Sequence, residues 1–150
     1  SMSTRCIFLA SLSIALAALT GCGSDGPTLI PIRGEVLYKG TPLRNVPQGL
    51  VKYLPKSDDA RQASGRIQPD GSFVLTTFQN ADGVTPGEYH VIVTAYTTQQ
   101  LSREQVEAAS GAVGQPRLLI PEKYTDPNTS PLTDVVDSDH SGFKRIELTD

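Results

Sequence analysis

The sequence predicts an all-β fold, a small two-layer sandwich, and the stretch Pro69 to Tyr96 carries most of that prediction. Asp70-Gly71 is a tight-turn pair, since Asp bonds its own backbone and Gly takes positive φ at no Cβ cost. A β-rich run follows from Ser72 to Phe78, with Phe73, Leu75 and Thr77 sharing one face. Pro86-Gly87 marks a second turn, and beyond it Tyr89, Val91, Val93 and Ala95 point one way. His90, Ile92, Thr94 and Tyr96 point the other.

The remaining elements follow in order. Ile32 to Tyr38 alternates Ile32, Gly34, Val36 and Tyr38 against Arg33, Glu35 and Leu37. Lys39 to Leu43 reads as a turn with Leu43 tucked under it. Val46 to Pro55 supplies a second strand centred on Leu50 to Leu54, which Pro47 and Pro55 confine to an edge or a short central piece. Lys56 to Gln62 is a polar loop. Ala63, Gly65 and Ile67 then alternate into the Asp70-Gly71 turn, forming a hairpin with Phe73 to Phe78. Thr97 to Gly114 has no period of two and is an insertion. Within it Ser102 and Gln105 make a capping-box pattern, so Arg103 to Ala109 fits a short helix ending at Gly111. Leu118 to Ile120 is apolar, Pro121 to Leu132 winds around the body, and Leu132 to Val136 and Phe143 to Leu148 are the last strands. They are hinged through Asp137 to Gly142. Phe73, Val91 and Val36 are expected in the core, with His90 and Arg33 exposed.

A chain of 150 residues holds one domain with a thin core. Thirteen basic against 16 acidic residues give a net charge of −3. No Lys/Arg run occurs, which argues against a nucleic-acid partner. The two cysteines, Cys6 and Cys22, both lie near the amino terminus, so the body has neither a disulfide framework nor a cysteine metal site.

Ser1 ahead of Met2 is read as a cloning remnant. Arg5 is a minimal basic region, and Cys6 to Leu19 is an apolar run of about 14 residues. That is short for a membrane span and suited to a signal sequence. The run closes on Leu19-Thr20-Gly21-Cys22, followed by the polar Gly23 to Pro27. This pattern resembles the lipobox of bacterial lipoproteins, with an ordinary secretory signal as the alternative. The resemblance implies cleavage before Cys22 and diacylglyceryl attachment to its sulfur, a palmitate-class anchor on a thiolate nucleophile. Residues 1–21 are then a signal peptide, 22–31 a lipidated tether and 32–150 the domain. Loss of residues 1–21 removes Arg5 and leaves 12 basic against 16 acidic residues, a net −4. Gly23 after the cysteine favours the outer membrane, by likeness to known sorting patterns.

Across Ile32 to Leu148 the motifs, taken in order, resemble carboxypeptidase regulatory-like, transthyretin-type domains of envelope lipoproteins. The matching pieces are Gly34-x-Val36 with Gly40 to Leu43, Ala63-x-Gly65 with Asp70 to Phe73, and Pro86 to Tyr89 with Val91. Ile120 to Tyr124, Thr129 to Leu132 and Ile146 to Leu148 complete the set. The resemblance implies a Greek-key sandwich of about seven strands and no peptidase activity.

No catalytic constellation is legible. His90 is followed three residues on by Val93, and His140 by Phe143, where a zinc peptidase needs a Glu near its His. Hydroxyisourate hydrolases of transthyretin type end in Tyr-Arg-Gly-Ser, whereas this chain ends Glu147-Leu148-Thr149-Asp150. No Gly-x-Ser-x-Gly elbow occurs. No cofactor is expected. Asp134, Asp137 and Asp139 are calcium candidates, because calcium favours carboxylate oxygens, and a solvated acidic turn is the alternative. Tyr96 and Tyr124, with the 97–114 insertion, are candidate contacts for a glycan or peptide. The expectation is a non-catalytic, lipid-anchored envelope module that binds or scaffolds another molecule. A glycan- or peptide-binding accessory protein is the alternative, ahead of a hydrolase or a calcium-dependent adhesion module.

Overall fold

A computed structural model gives the fold; it describes residues 26–97, 116–139 and 142–150. The expected leader, lipobox and Cys22 lie outside the described residues, as do most of the insertion with its expected helix, His140 and Ser141. The strands are β1 (Ile32–Tyr38), β2 (Thr41–Pro42), β3 (Gln48–Pro55), β4 (Ala63–Arg66), β5 (Ser72–Val74), β6 (Gly87–Tyr96), β7 (Thr133–Val136) and β8 (Gly142–Leu148). A 3₁₀ turn, Glu122–Thr125, precedes β7.

Two sheets form the sandwich. In the first, β8 runs parallel to β1 from Ile32 to Tyr38, while β5 and β2 share the other side of β1 end to end. The handover falls at Val36, whose N–H donates to the Gly71 carbonyl and whose carbonyl accepts from the Leu43 N–H. The second sheet has the order β4-β3-β6-β7 and is antiparallel throughout.

The expected all-β sandwich is therefore present, with eight strands rather than about seven. The extra one comes from the segment expected to be only a turn. Lys39 and Gly40 both take positive φ (52° and 76°), the backbone of a primed hairpin turn. That turn folds Thr41 and Pro42 back onto Tyr38 and Leu37.

The hairpin around Asp70-Gly71 also forms, but its arms part. β4 joins β3 in one sheet and β5 joins β1 in the other. Ser64 and Thr76 exchange backbone hydrogen bonds, and the Gln68 N–H donates to the Ser72 carbonyl, so the hairpin is a corner joining the layers. Gly71 has φ +92°, and a Cβ there would press on Leu43 N and Pro42 Cβ. Asp70 Oδ1 accepts from the Ser72 N–H (2.9 Å) and hydroxyl (2.6 Å), which hold its carboxyl below the usual value.

β5 ends at Val74, short of the expected Phe78. Asp82 causes the break: its carboxylate accepts the N–H groups of Thr77, Phe78 and Gln79 at 2.7–2.8 Å. Those donors are thereby withdrawn from strand pairing, which leaves Thr77 half-buried and Phe78 exposed.

Phe73 and Val36 are fully buried and Val91 is 3% exposed, as expected. Burying one such side chain contributes about 1.5–3 kcal/mol. Tyr89, Val93 and Ala95 join them, completing the inward face of β6. Arg33 is exposed, but His90 is half-buried, contrary to expectation. His90 sits on a central strand, paired with Leu54 on one side and Thr133 on the other. Ile92, on the same outer face, is buried opposite Lys52. The domain also starts earlier than Ile32: Ile30 is buried and bridges Val84 through two hydrogen bonds of 2.8 and 2.9 Å.

The registers give the sandwich two distinct ends. Ile30, Val84, Gly87, Val136 and Gly142 lie at the end where the chain enters β1. Tyr38, Gln48, Tyr96 and Leu148 lie at the far end.

Candidate functional site

The outer face of β4-β3-β6 holds a groove at the far end. Arg66, Leu50 and Thr94 stand in one cross-strand row, and Gln48 and Tyr96 are paired in the next. The groove they line with Gly49 encloses about 410 Å³. Arg66 also lines a neighbouring hollow of about 450 Å³ with Asn45, Pro47 and Pro69. Arg66 thus lines both concavities. Leu50 lies between Arg66 and Thr94 in this row, and a planar ring, a hydroxyl, an amide and five guanidinium donors surround it. Such a set suits a polar ligand with an apolar face, because Tyr stacks on C–H surfaces while Arg and Gln take oxygen acceptors.

The insertion leaves and returns beside this groove. Thr97 donates its N–H to the Arg117 carbonyl (2.9 Å), and Leu118 forms an antiparallel bridge with Tyr96. Tyr96 is half-buried at the groove wall, so one of the two tyrosines expected as contacts stands on an open surface. Tyr124 does not. It is 2% exposed, part of the core, and its hydroxyl donates to the Thr149 carbonyl (2.9 Å) while accepting the Thr149 N–H (2.8 Å). It locks the chain end after β8 and forms no shared surface with Tyr96. A 3₁₀ turn packed on β6 brought it inward, and its sequence signal resembles that of any exposed loop tyrosine.

The acidic candidates are used differently from a calcium site. Asp134 Oδ2 accepts from the Tyr53 hydroxyl at 2.9 Å, and Oδ1 pairs with Lys144 Nζ at 3.0 Å. Asp137 Oδ1 accepts the Asp139 N–H at 3.0 Å, a local turn bond. Among the described residues, no group of three or more His, Cys, Asp or Glu side chains is placed to hold a metal ion. The Asp134–Lys144 pair spans the seam between β7 and β8, the open side of the sandwich opposite the β4–β5 corner. Tyr53 reaches it from inside. Burial first, and then the charge of Asp134, push the Tyr53 phenol far above its ordinary value, so it stays a hydrogen-bond donor.

The turn before β6 is fixed by a closed hydrogen-bond ring. The Tyr89 hydroxyl donates to the Thr85 carbonyl (2.7 Å), lies 2.7 Å from the Thr85 hydroxyl, and that hydroxyl accepts the Arg61 N–H at 2.8 Å. Gly87 follows Pro86 with φ +151°. Asp70-Gly71 and Pro86-Gly87 therefore both serve structure, at opposite ends of the molecule.

Arg66, Gln48, Leu50 and Thr94 were not singled out from the sequence. Each is an ordinary outward residue of its strand, and only the register brings them together. Compared with protein-family models, curated proteins and solved structures, the chain matches none.

Proposed function

We propose that this protein is a non-catalytic, lipid-anchored module of a bacterial cell envelope that binds or scaffolds another molecule. The observation that carries the reading is Leu19-Thr20-Gly21-Cys22 at the close of an apolar run too short to span a bilayer, followed by a polar tether. The order of the turn motifs, with its likeness to carboxypeptidase regulatory-like domains, supports the same reading. Acyl chains on Cys22 supply the anchoring that one short apolar segment cannot. The outer membrane is the proposed site of attachment.

A second reading refines the first, with a glycan or peptide as the bound molecule and the far-end groove with the adjoining 97–114 insertion as its site. The groove lined by Tyr96, Arg66, Thr94 and Gln48 favours it.

Replacing Cys22 in the native host tests the anchor. Cys22→Ser is expected to lose fatty-acid label, leaving either a soluble chain or an uncleaved precursor. A variant that takes up label as the unaltered protein does overturns the reading.

A further inference from the structure

The exposed large apolar side chains are unevenly placed. Phe143 (58% exposed), Phe78 (57%), Val135 (55%) and Val74 (44%) all lie at the end where the chain enters β1, and Leu119 lies at the far end. Val74 and Phe143 are both register partners of Arg33, one on each side. The three form a row across β5, β1 and β8 on the outward face of the first sheet. Phe78 stands on the loop leaving β5 at the same end, while Val135 faces out from the second sheet. Among the described residues the Arg33 side chain has no ion pair or hydrogen bond. The next row along the same face is already satisfied, since Arg145 Nε bonds Glu35 Oε1 at 2.9 Å.

An apolar–cation–apolar row suits a membrane interface. The apolar groups enter the acyl boundary, and the guanidinium stays at the level of the phosphates on its long stem. Chain length selects this partner over others. Eight Cα–Cα steps separate Cys22 from Ile30, so fully extended they reach at most about 29 Å. As a flexible coil they span about 16 Å. The sandwich along β6, by contrast, is about 34 Å long. An anchor at Cys22 therefore holds the end where the chain enters β1, which carries the apolar row, within reach of the headgroups. Acidic side chains lie on both sides of this end, Asp58, Asp59, Asp137 and Asp139 in the loops after β3 and β7 and Asp82 in the loop that carries Phe78, so the exposed apolar row of the first sheet, not charge, sets the face that meets the headgroups.

We propose that the Val74–Arg33–Phe143 row, with Phe78, is a membrane-contact surface that rests the first sheet on the headgroups of the bilayer holding the anchor. The proposal depends on the lipid-anchor reading. The contact need not be strong alone, because the anchor makes it intramolecular and raises its effective concentration. By fixing the tilt of the sandwich, it would present the groove outward.

The chain has no tryptophan, so single substitutions serve as clean reporters. Full-length protein carrying Phe143→Trp, Phe78→Trp or Leu119→Trp would be purified from the envelope and its acylation checked by intact mass. Each would then be placed in phosphatidylethanolamine–phosphatidylglycerol vesicles with brominated acyl chains. Phe143→Trp and Phe78→Trp are expected to shift to shorter emission wavelength and lose emission to the bromines, and Leu119→Trp to do neither. Adding Arg33→Glu to Phe143→Trp should reduce the quenching while leaving the melting temperature within the error of the parent. Acylated protein in which positions 78 and 143 quench no more than position 119 overturns the proposal alone. A chain that carries no acyl group overturns the anchor reading and this proposal with it. A lipid-free emission shift at position 143 that grows with concentration and accompanies a doubled mass assigns the row to a second copy, and also overturns it.

Discussion

The Tyr53 hydroxyl donates to the Asp134 carboxylate across the interior edge of the sandwich, at 2.9 Å, while Lys144 holds the other oxygen at 3.0 Å. The corner between β4 and β5 closes one side of the molecule through the chain itself. The other side, between β7 and β8, is closed by this side-chain network.

Tyr53→Phe removes the donor and leaves Asp134 with Lys144 alone. A hydrogen bond to a charged group is worth about 1.5–3 kcal/mol, and the partial exposure of Asp134 places the expected loss near the lower figure. Lys144→Met should also destabilise, and the double variant should lose less than the two single losses added, since the three groups form one network. Urea melts of the four proteins measure this. Strict additivity, or a Tyr53→Phe loss within about 0.5 kcal/mol of zero, would show that the seam is held by packing alone.

Gly71→Val places a β-branched side chain at φ +92°, against Leu43 N and Pro42 Cβ. A non-Gly residue in a left-handed conformation costs about 1–2 kcal/mol, and crowding adds to it. A melting temperature several degrees lower is expected for a domain of this size. An unchanged melt would mean that the corner does not depend on the Asp70-Gly71 turn.

Some of this architecture was legible in the residues because its signals are local. The Asp70-Gly71 turn, the inward set of β6, and the burial of Phe73 and Val36 all follow from alternation and turn chemistry. What was not legible depends on partners distant in sequence. His90 is an outward residue by parity, yet neighbours on both sides cover it. Tyr124 is drawn inward by Thr149, 25 residues away, and the Arg66–Tyr96 groove exists only once β4, β3 and β6 are in register. Asp134 is a further case. Its carboxylate looks like part of an acidic turn until Tyr53, 81 residues earlier, takes one of its oxygens.

Asp82 gives the fold a dependence on acid. Burial pushes its carboxyl up, but the N–H groups of Thr77, Gln79 and Phe78 outweigh that and hold it below its usual 3.8. A carboxyl depressed in the folded state stabilises above its unfolded value and loses that contribution as pH falls through the folded one. The unaltered protein should therefore lose stability as pH falls below about 4, and Asp82→Asn should be less stable at neutral pH but flatter in that window. Melting temperatures between neutral pH and about pH 2.5 check the sign. A variant with the same acid slope as the parent would remove Asp82 from the explanation.

The proposed location depends on Cys22 more than on any other residue. Among the described residues no helix is long and apolar enough to cross a membrane. The net charge of −4 after residue 21 opposes adsorption to anionic lipid, and a small apolar row cannot hold a domain to a bilayer unaided. Intact-mass measurement of the protein purified from its native envelope, alongside metabolic fatty-acid labelling, tests this most directly. The predicted result is a chain that begins at Cys22 and carries the added mass of a diacylglyceryl group, with or without a further acyl chain on the new amino terminus. An unmodified amino terminus, or one that begins at any other residue, would contradict it.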